Sequence, residues 1–165
     1  SAALEADAQA YADTCPTGHA SRAALDGAGE NLYWAGGSSL PDAAQSYADA
    51  VQSWYDEITS GAYDFDSGAS GNGGVVGHFT QVVWKGSTEV GCGVSLGCSN
   101  MFGGMANSAV VCRYKAAGNW VGEYTANVGA LVASGACGAA SPSPAGASPP
   151  GPSGRGAERM SARRP

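Results

Sequence analysis

Five cysteines constrain this chain more than any other feature of its sequence. They are scattered along it as Cys15, Cys92, Cys98, Cys112 and Cys137. No two of them form a Cys-x-x-Cys pair, the spacing typical of zinc ribbons and redox-active sites. Single cysteines spread through a chain with 26 glycines and 13% charged residues are typical of a loop-rich domain held by disulfides in an oxidising compartment. Their odd number leaves one cysteine to be explained separately.

The net charge of −6 is divided unevenly along the chain. Residues 138–165 contain four arginines and one glutamate, so they carry +3 and residues 1–137 carry −9. Nucleic-acid binding requires lysines and arginines that neutralise phosphates, and an acidic domain lacks that excess. We therefore expect no nucleic-acid partner.

A domain boundary is predicted near Cys137. Residues 141–156 read SPSPAGASPPGPSGRG and contain no large apolar side chain. Such a segment cannot bury enough apolar surface to fold, so we predict a domain over 1–137 and a disordered tail over 138–165. The tail is a candidate for attachment to a cell wall or matrix.

Neither a membrane span nor a signal peptide is visible in the sequence. A helical pattern is already present at the first residues, so we expect the domain to be truncated at its N-terminus relative to its precursor.

Two helices are predicted from apolar residues at helical spacing. The first covers 4–14, with its apolar positions at Leu4, Ala8, Tyr11 and Ala12. The second covers 43–59 and has the stronger stripe, formed by Ala44, Tyr47, Ala48, Val51, Trp54, Tyr55 and Ile58. Glu57 falls on the flank of this stripe, on the side of Trp54, at the rim of the predicted buried face.

Strands are predicted over 31–34, 79–84, 89–94 and 109–114, with a further extended run over 122–128. The order of helix, strand, helix and then clustered strands with short links favours an α+β fold with an antiparallel sheet.

Four side chains are candidates for chemistry. His19 and His78 are the only histidines, and both lie in glycine-containing segments next to predicted elements. Glu30 shares a strand face with Leu32 and Trp34, so it should be desolvated unless it is paired. Together with Glu57, these residues could converge on a metal ion or form an acid–base cleft. Equally, each could be an ordinary structural or solvated side chain, because the four are far apart in sequence.

No motif for other common chemistries is present. The chain has no G-x-S-x-G segment for a serine hydrolase and no P-loop or dinucleotide-binding G-x-G-x-x-G after a strand. These absences favour a binding module over an enzyme with a nucleophile.

Four segments in order resemble the CAP superfamily, which includes cysteine-rich secretory proteins, venom antigen 5 and pathogenesis-related class 1 proteins. They are GENLYW at 29–34, WYDE at 54–57, GHFTQVVWKGSTEVGCGV at 77–94 and VCRYKAAGNWVGEYTANV at 111–128. The resemblance covers about residues 4–128 and is nearest to fungal and plant secreted members. It implies an α-β-α sandwich around an antiparallel sheet.

The resemblance also implies a site and two disulfides. It places His19, Glu30, Glu57 and His78 together in one cleft, a tetrad that binds zinc or another divalent ion in some members of the family. It implies the pairings Cys15–Cys98 and Cys92–Cys112, with Cys137 outside the pattern.

For function, the resemblance implies a secreted protein that binds a sterol or another lipid in a defence or export role. Tyr63 and Phe65 precede a glycine-rich loop and are candidates for a ligand-binding flap, although the same aromatics could simply anchor that loop. The alternative function is a metal-dependent hydrolase or protease that uses the histidine and glutamate cleft.

Overall fold

A computed structural model describes residues 1–130 of the chain. Its helices are α1 (Ala2–Ala12), α2 (Arg22–Leu25), α3 (Ala43–Tyr55), α4 (Glu57–Ser60), α5 (Gly77–Val82) and α6 (Tyr124–Asn127). Its strands are β1 (Gly29–Gly36), β2 (Tyr63–Asp64), β3 (Ala69–Ser70), β4 (Glu89–Cys98) and β5 (Asn107–Lys115), with a short 3-10 helix at Phe102–Gly104. The predicted tail over 138–165 and Cys137 lie outside the described residues.

Strand β5 is the centre of a three-stranded antiparallel sheet with the order β1-β5-β4. Side chains alternate between the two faces of a strand, and here each face meets a helix. Val110 and Cys112 pack in a cluster with Ala50 of α3, whereas Val111 packs with Ala8 of α1. The α-β-α sandwich predicted from the resemblance is therefore confirmed.

Helix α1 lies directly against the backbone of β4. Gly91 and Gly93 occupy the face of β4 that meets α1, and a Cβ atom on either would overlap the backbone of that helix. The helix in turn has small residues on its buried face, since Ala8 and Ala12 are fully buried. Alternation in the segment VGCGV thus places glycines toward α1 and Cys92 toward α3.

Helix α3 begins where Asp42 accepts a hydrogen bond from the backbone N–H of Gln45 at 2.9 Å, as expected of an N-cap aspartate. Two predictions for this segment were wrong. The helix ends at Tyr55 and a separate turn of helix starts at Glu57, so 43–59 is not one helix.

Its buried face is also rotated from the predicted stripe. Ser46, Ala50 and Trp54 are buried, whereas Val51 is 46% exposed and Tyr55 is 39% exposed. Small residues face the sheet because they allow the helix to approach it closely. The stripe of large apolar residues in the sequence does not predict which face this is.

Both disulfides implied by the resemblance are present. Cys15–Cys98 joins the segment after α1 to the end of β4 across 83 residues. Cys92–Cys112 links directly opposed positions of β4 and β5. In the chain-entropy model, the first cross-link stabilises the fold by about 4 kcal/mol, because it closes the longer loop.

The predicted strand over 79–84 is wrong, because this segment contains helix α5. Four consecutive residues of α5, from His78 to Gln81, are buried. Three of these four, His78, Thr80 and Gln81, are polar, so the burial of this helix is not marked by an apolar stripe at helical period. The extended run predicted over 122–128 is likewise a turn of helix, α6.

Among residues 1–130, no helix is long and apolar enough to cross a membrane.

The contact between α1 and β4 yields a stability prediction. We expect Gly93→Ala to lower the free energy of unfolding by about 1–3 kcal/mol, because the added methyl group meets helix backbone that cannot move aside cheaply. Gly97→Ala in the same strand is the matched control, since nothing lies within 4 Å of its added Cβ. Urea denaturation followed by circular dichroism measures both. Equal stability of the two variants would contradict the close approach of α1.

Candidate functional site

His78 and Glu57 form a buried hydrogen-bonded pair between α4 and α5. The Nδ1 atom of His78 lies 2.6 Å from Oε1 of Glu57. The other carboxylate oxygen, Oε2, accepts from the backbone N–H groups of His78 at 3.0 Å and Phe79 at 3.2 Å. The indole of Trp54 stacks on the imidazole with ring centroids 6.2 Å apart. The imidazole is therefore fixed from two sides.

Asn31 connects this pair to the central sheet. Its side-chain Nδ2 donates to the backbone carbonyl of His78 at 3.1 Å and approaches the hydroxyl of Tyr114 at 3.4 Å. Burial raises the pKa of Tyr114 well above its ordinary value. This phenol is therefore a neutral group in the core, and the asparagine amide can hold the start of α5 against β1 and β5.

His19 and Glu30 form the second pair. Nδ1 of His19 lies 2.7 Å from Oε1 of Glu30, which also accepts from the backbone N–H of Ala20 at 3.1 Å. The Glu30 side chain is 1% exposed and that of His19 is 25% exposed. Glu30 is buried and paired, rather than facing water as the alternative interpretation of the sequence had it.

Arg113 provides the counter-charge beneath Glu30. Its Nε lies 3.0 Å from Oε2 of Glu30, and its Nη1 lies 3.1 Å from Oδ2 of Asp7 on α1. These contacts meet the distance of an ion pair but not the angles of a hydrogen bond, so the attraction is mainly Coulombic. The guanidinium also lies over the ring of Tyr11, 5.2 Å from its centroid. A fully buried cation is thereby neutralised by one buried and one half-exposed carboxylate.

A cavity of about 290 Å³ lies between β1, α3 and α5. Its apolar wall consists of Leu32, Tyr33, Trp34, Trp54 and Val75. Its polar wall consists of Ser53, Glu57, Ser60 and His78. Both indole N–H groups are used within the protein, since Trp54 donates to the carbonyl of Leu32 at 3.1 Å and Trp34 to that of Pro16 at 2.7 Å.

All four residues of the predicted tetrad are paired, His19 with Glu30 and His78 with Glu57. Glu57 and His78 line the cavity, and His19 and Glu30 are not among its lining residues. Within residues 1–130, no three His, Cys, Asp or Glu side chains come together as a metal site. Each Nδ1 is engaged by a carboxylate. Imidazoles oriented by carboxylates are ligands that a divalent ion can use, whereas a catalytic zinc centre takes three protein ligands.

Tyr63 and Phe65 belong to an aromatic cluster that includes Phe79 of α5. Tyr63 is buried and meets Phe65 edge to face, with ring centroids 5.0 Å apart, and Phe79 of α5 at 5.3 Å. Neither residue lines the cavity. These contacts connect the loop to α5, and a role of Tyr63 and Phe65 in ligand binding stays a prediction.

Comparison with known proteins identifies the family. Residues 1–114 match the sequence profile described as CAP, the cysteine-rich secretory protein family. This chain belongs to the CAP family. It is 41% identical to Protein PRY2 of Saccharomyces cerevisiae over 98 residues, which cover 59% of this chain and 28% of the yeast protein.

Two solved structures share the fold. BmVAL-1 superposes with a TM-score of 0.61 at 31% identity over 72% of this chain and 58% of its own. NaASP2, crystallised with Zn²⁺, superposes with a TM-score of 0.59 at 29% identity over 72% of this chain and 59% of its own. This CAP chain spans 28%, 41% and 42% of the length of three curated relatives that it matches.

The sequence alone did not reveal the roles of Arg113 and Asn31. A lone arginine inside the apolar run AVVCRYK was the available signal, because a charge in a central strand must be paired when it is buried. Its partners could not be read from the pattern, since Asp7 and Glu30 lie in other elements.

Removal of the Arg113 charge should be strongly destabilising. We expect Arg113→Met to lower the free energy of unfolding by about 3–5 kcal/mol, because Glu30 then becomes a buried charge without a counter-charge. Lys115→Met is the matched control in the same strand. Its ion pair with Asp26 is 3.9 Å long and lies between exposed side chains, so we expect no measurable change. Urea denaturation at neutral pH measures both. A loss in Arg113→Met no larger than in the control would show that the buried network contributes little.

Proposed function

We propose that this CAP domain acts outside the cell as a binding module for a sterol or a related lipid. The observation that carries the proposal is the cavity beside β1, which is lined by the aromatic residues Tyr33, Trp34 and Trp54 together with the polar pair Glu57 and His78. A concave site that combines aromatic side chains with a few polar groups is typical of sites for small amphipathic molecules.

The size of the cavity limits how such a ligand binds. A protein cavity of about 150 Å³ admits benzene, and this one has about 290 Å³. It can therefore hold about two fused rings. We infer that one end of a sterol enters the cavity while the remainder of the molecule stays at its mouth, so that ligand exchange does not require unfolding.

An extracellular location is supported by the covalent structure. Two disulfides within residues 1–130 are stable in oxidising compartments and uncommon in the cytosol. Relatives of this chain include Cysteine-rich secretory protein 3 of Homo sapiens, 40% identical over 119 residues. The acidic domain supports a ligand other than nucleic acid. We extend the proposal to the tail over 138–165 as the attachment to a wall or matrix.

Sterol binding can be tested with a variant that fills the cavity. Wild-type protein should bind tritiated cholesterol saturably, and Ser53→Trp should weaken binding at least tenfold because the indole occupies the cavity mouth. Gln52→Trp is the matched control, because Gln52 is exposed and does not line the cavity.

The variant Phe65→Ser tests whether the ligand binds at the loop rather than in the cavity. Loss of binding in Phe65→Ser alone would assign the ligand to the loop. Absence of saturable binding by the wild-type protein would refute the proposed function.

A metal-dependent hydrolase is the second candidate, and one observation favours it. Each histidine donates through Nδ1 to a carboxylate, the arrangement that orients metal-ligating histidines, and the similar protein NaASP2 was crystallised with Zn²⁺. We propose that any divalent ion bound by this chain is held by His19 and His78. Calorimetric titration with zinc should give heat for the wild type and none for His19→Ala/His78→Ala. Equal heats would place the ion elsewhere.

A further inference from the structure

Helix α3 carries an apolar stripe on its outer, solvent-exposed face. Ala44, Ala48, Val51 and Tyr55 recur at the spacing of one helix face. All four are exposed, Val51 at 46% and Tyr55 at 39%, and the buried face of the helix contains none of them. At the end of the stripe, Tyr55 meets Phe79 of α5 edge to face, with ring centroids 5.7 Å apart. Four residues of the stripe predicted for the core are therefore on the surface.

A row of three aspartates runs beside this stripe. Asp42, Asp49 and Asp56 are seven residues apart, which is about two helical turns, so they lie along one line of the helix. Gln45 and Gln52 each donate to one oxygen of the following aspartate at 2.7 Å. These donors are neutral, and no ion pair within residues 1–130 involves any of the three aspartates. The row is therefore a negative charge without a counter-charge along the length of α3.

The surrounding sequence does not offset this charge. Between Arg22 and Lys85 the chain contains no lysine or arginine, and residues 1–137 together carry −9. A second copy of the domain would bring an identical negative row to the face and would be repelled. The face therefore fits an occupant that combines positive charge with apolar surface.

One segment of this chain has that composition. Residues 155–164 read RGAERMSARR and contain four arginines, one glutamate and Met160. An arginine can lay its apolar stem along a surface while its guanidinium pairs with a carboxylate. The thioether of methionine adapts to irregular apolar contacts. The segment from Arg155 to Arg164 spans at most about 30 Å, and the aspartate row extends over about 21 Å, so one can follow the other.

The connection to the domain permits this contact. The 25 residues from 130 to 155 span at most about 80 Å, whereas a domain of this length has a radius of gyration of about 14 Å. Residues 155–164 can therefore reach any part of the domain surface. A covalent tether also gives the segment a high effective concentration, so that weak individual contacts suffice.

We propose that residues 155–164 dock on the outer face of α3, with their arginines on the row of Asp42, Asp49 and Asp56 and with Met160 on the apolar stripe at Val51 and Tyr55. The inference goes beyond the proposed function and does not depend on lipid binding. Salt opposes this docking, because the Debye length falls from about 30 Å at 0.01 M to about 3 Å at 1 M ionic strength.

Backbone amide chemical shifts of the full chain test the docking. We compare the wild type with Arg155→Gln/Arg159→Gln/Arg163→Gln/Arg164→Gln by ¹⁵N NMR at about 0.01 M ionic strength. The shift differences should concentrate in residues 42–56 and be absent from α1, which packs on the other face of the sheet. They should disappear at about 1 M ionic strength.

The aspartate row is tested with a charge-matched control. In Asp42→Asn/Asp49→Asn/Asp56→Asn, the four arginine replacements should no longer change the spectrum of α3. The control Glu5→Gln/Glu89→Gln/Glu123→Gln removes the same charge from exposed residues of other elements and should leave the differences intact.

The apolar stripe is tested separately. Val51→Ser should reduce the shift differences, because it removes apolar surface at the proposed contact of Met160. Val121→Ser should not, because Val121 is a 54% exposed valine outside α3.

Each outcome supports or refutes the docking. If the four arginine replacements leave α3 unchanged, or if the differences lie in other elements, the proposal is refuted. Differences that persist at high salt or in the aspartate variant refute it as well. If the aspartate variant does not fold, as judged by circular dichroism, the location and salt dependence of the wild-type differences decide.

Discussion

The burial of strand β5 on both faces is the constraint on which the rest of the structure depends. Every residue of β5 from Asn107 to Tyr114 is buried, so the strand requires a helix on each side and a strand at each edge. Helices α1 and α3 meet this requirement on the two faces, and β1 and β4 meet it at the edges. The one charged side chain of the buried run, Arg113, must then find carboxylates inside the sandwich.

The same arrangement explains why the two histidine–glutamate pairs differ. Glu30 points to the α1 face of the sheet, where Arg113 supplies the counter-charge. Glu57 lies on the α3 side, where the backbone N–H groups at the start of α5 take that role. One carboxylate is neutralised by a buried cation and the other is held by amides beside an open cavity. The two histidine–glutamate pairs of the predicted tetrad therefore differ in their electrostatic environments.

Sequence reasoning predicted the elements whose residue pattern shows which side chains are buried. β1 and β5 were predictable because strand alternation in GENLYW and VVCRYK places their side chains. α1 was predictable because Leu4, Ala8 and Ala12 recur at helical spacing. The family resemblance supplied the disulfide partners, which spacing alone leaves open.

Two features were not accessible to a local pattern. Helix α5 has buried residues on every side, and α3 faces the sheet through Ser46 and Ala50 rather than through its larger residues. In both, tertiary packing decides the outcome. The pairing of His19 with Glu30 and of His78 with Glu57 likewise depends on which elements the fold brings together.

The two glycines of β4 also set the alignment of α1 along the sheet. Alternate residues of a strand are about 6.6 Å apart, and four residues of a helix rise about 6 Å. Gly91 faces Leu4 and Glu5, and Gly93 faces Ala8 and Gln9, one helical turn further on. The two spacings are nearly equal, so both glycines contact the helix backbone at equivalent positions one turn apart. A sliding motion of α1 by a single residue would bring Cβ atoms onto strand backbone, and the helix is therefore locked lengthwise as well as held against the sheet.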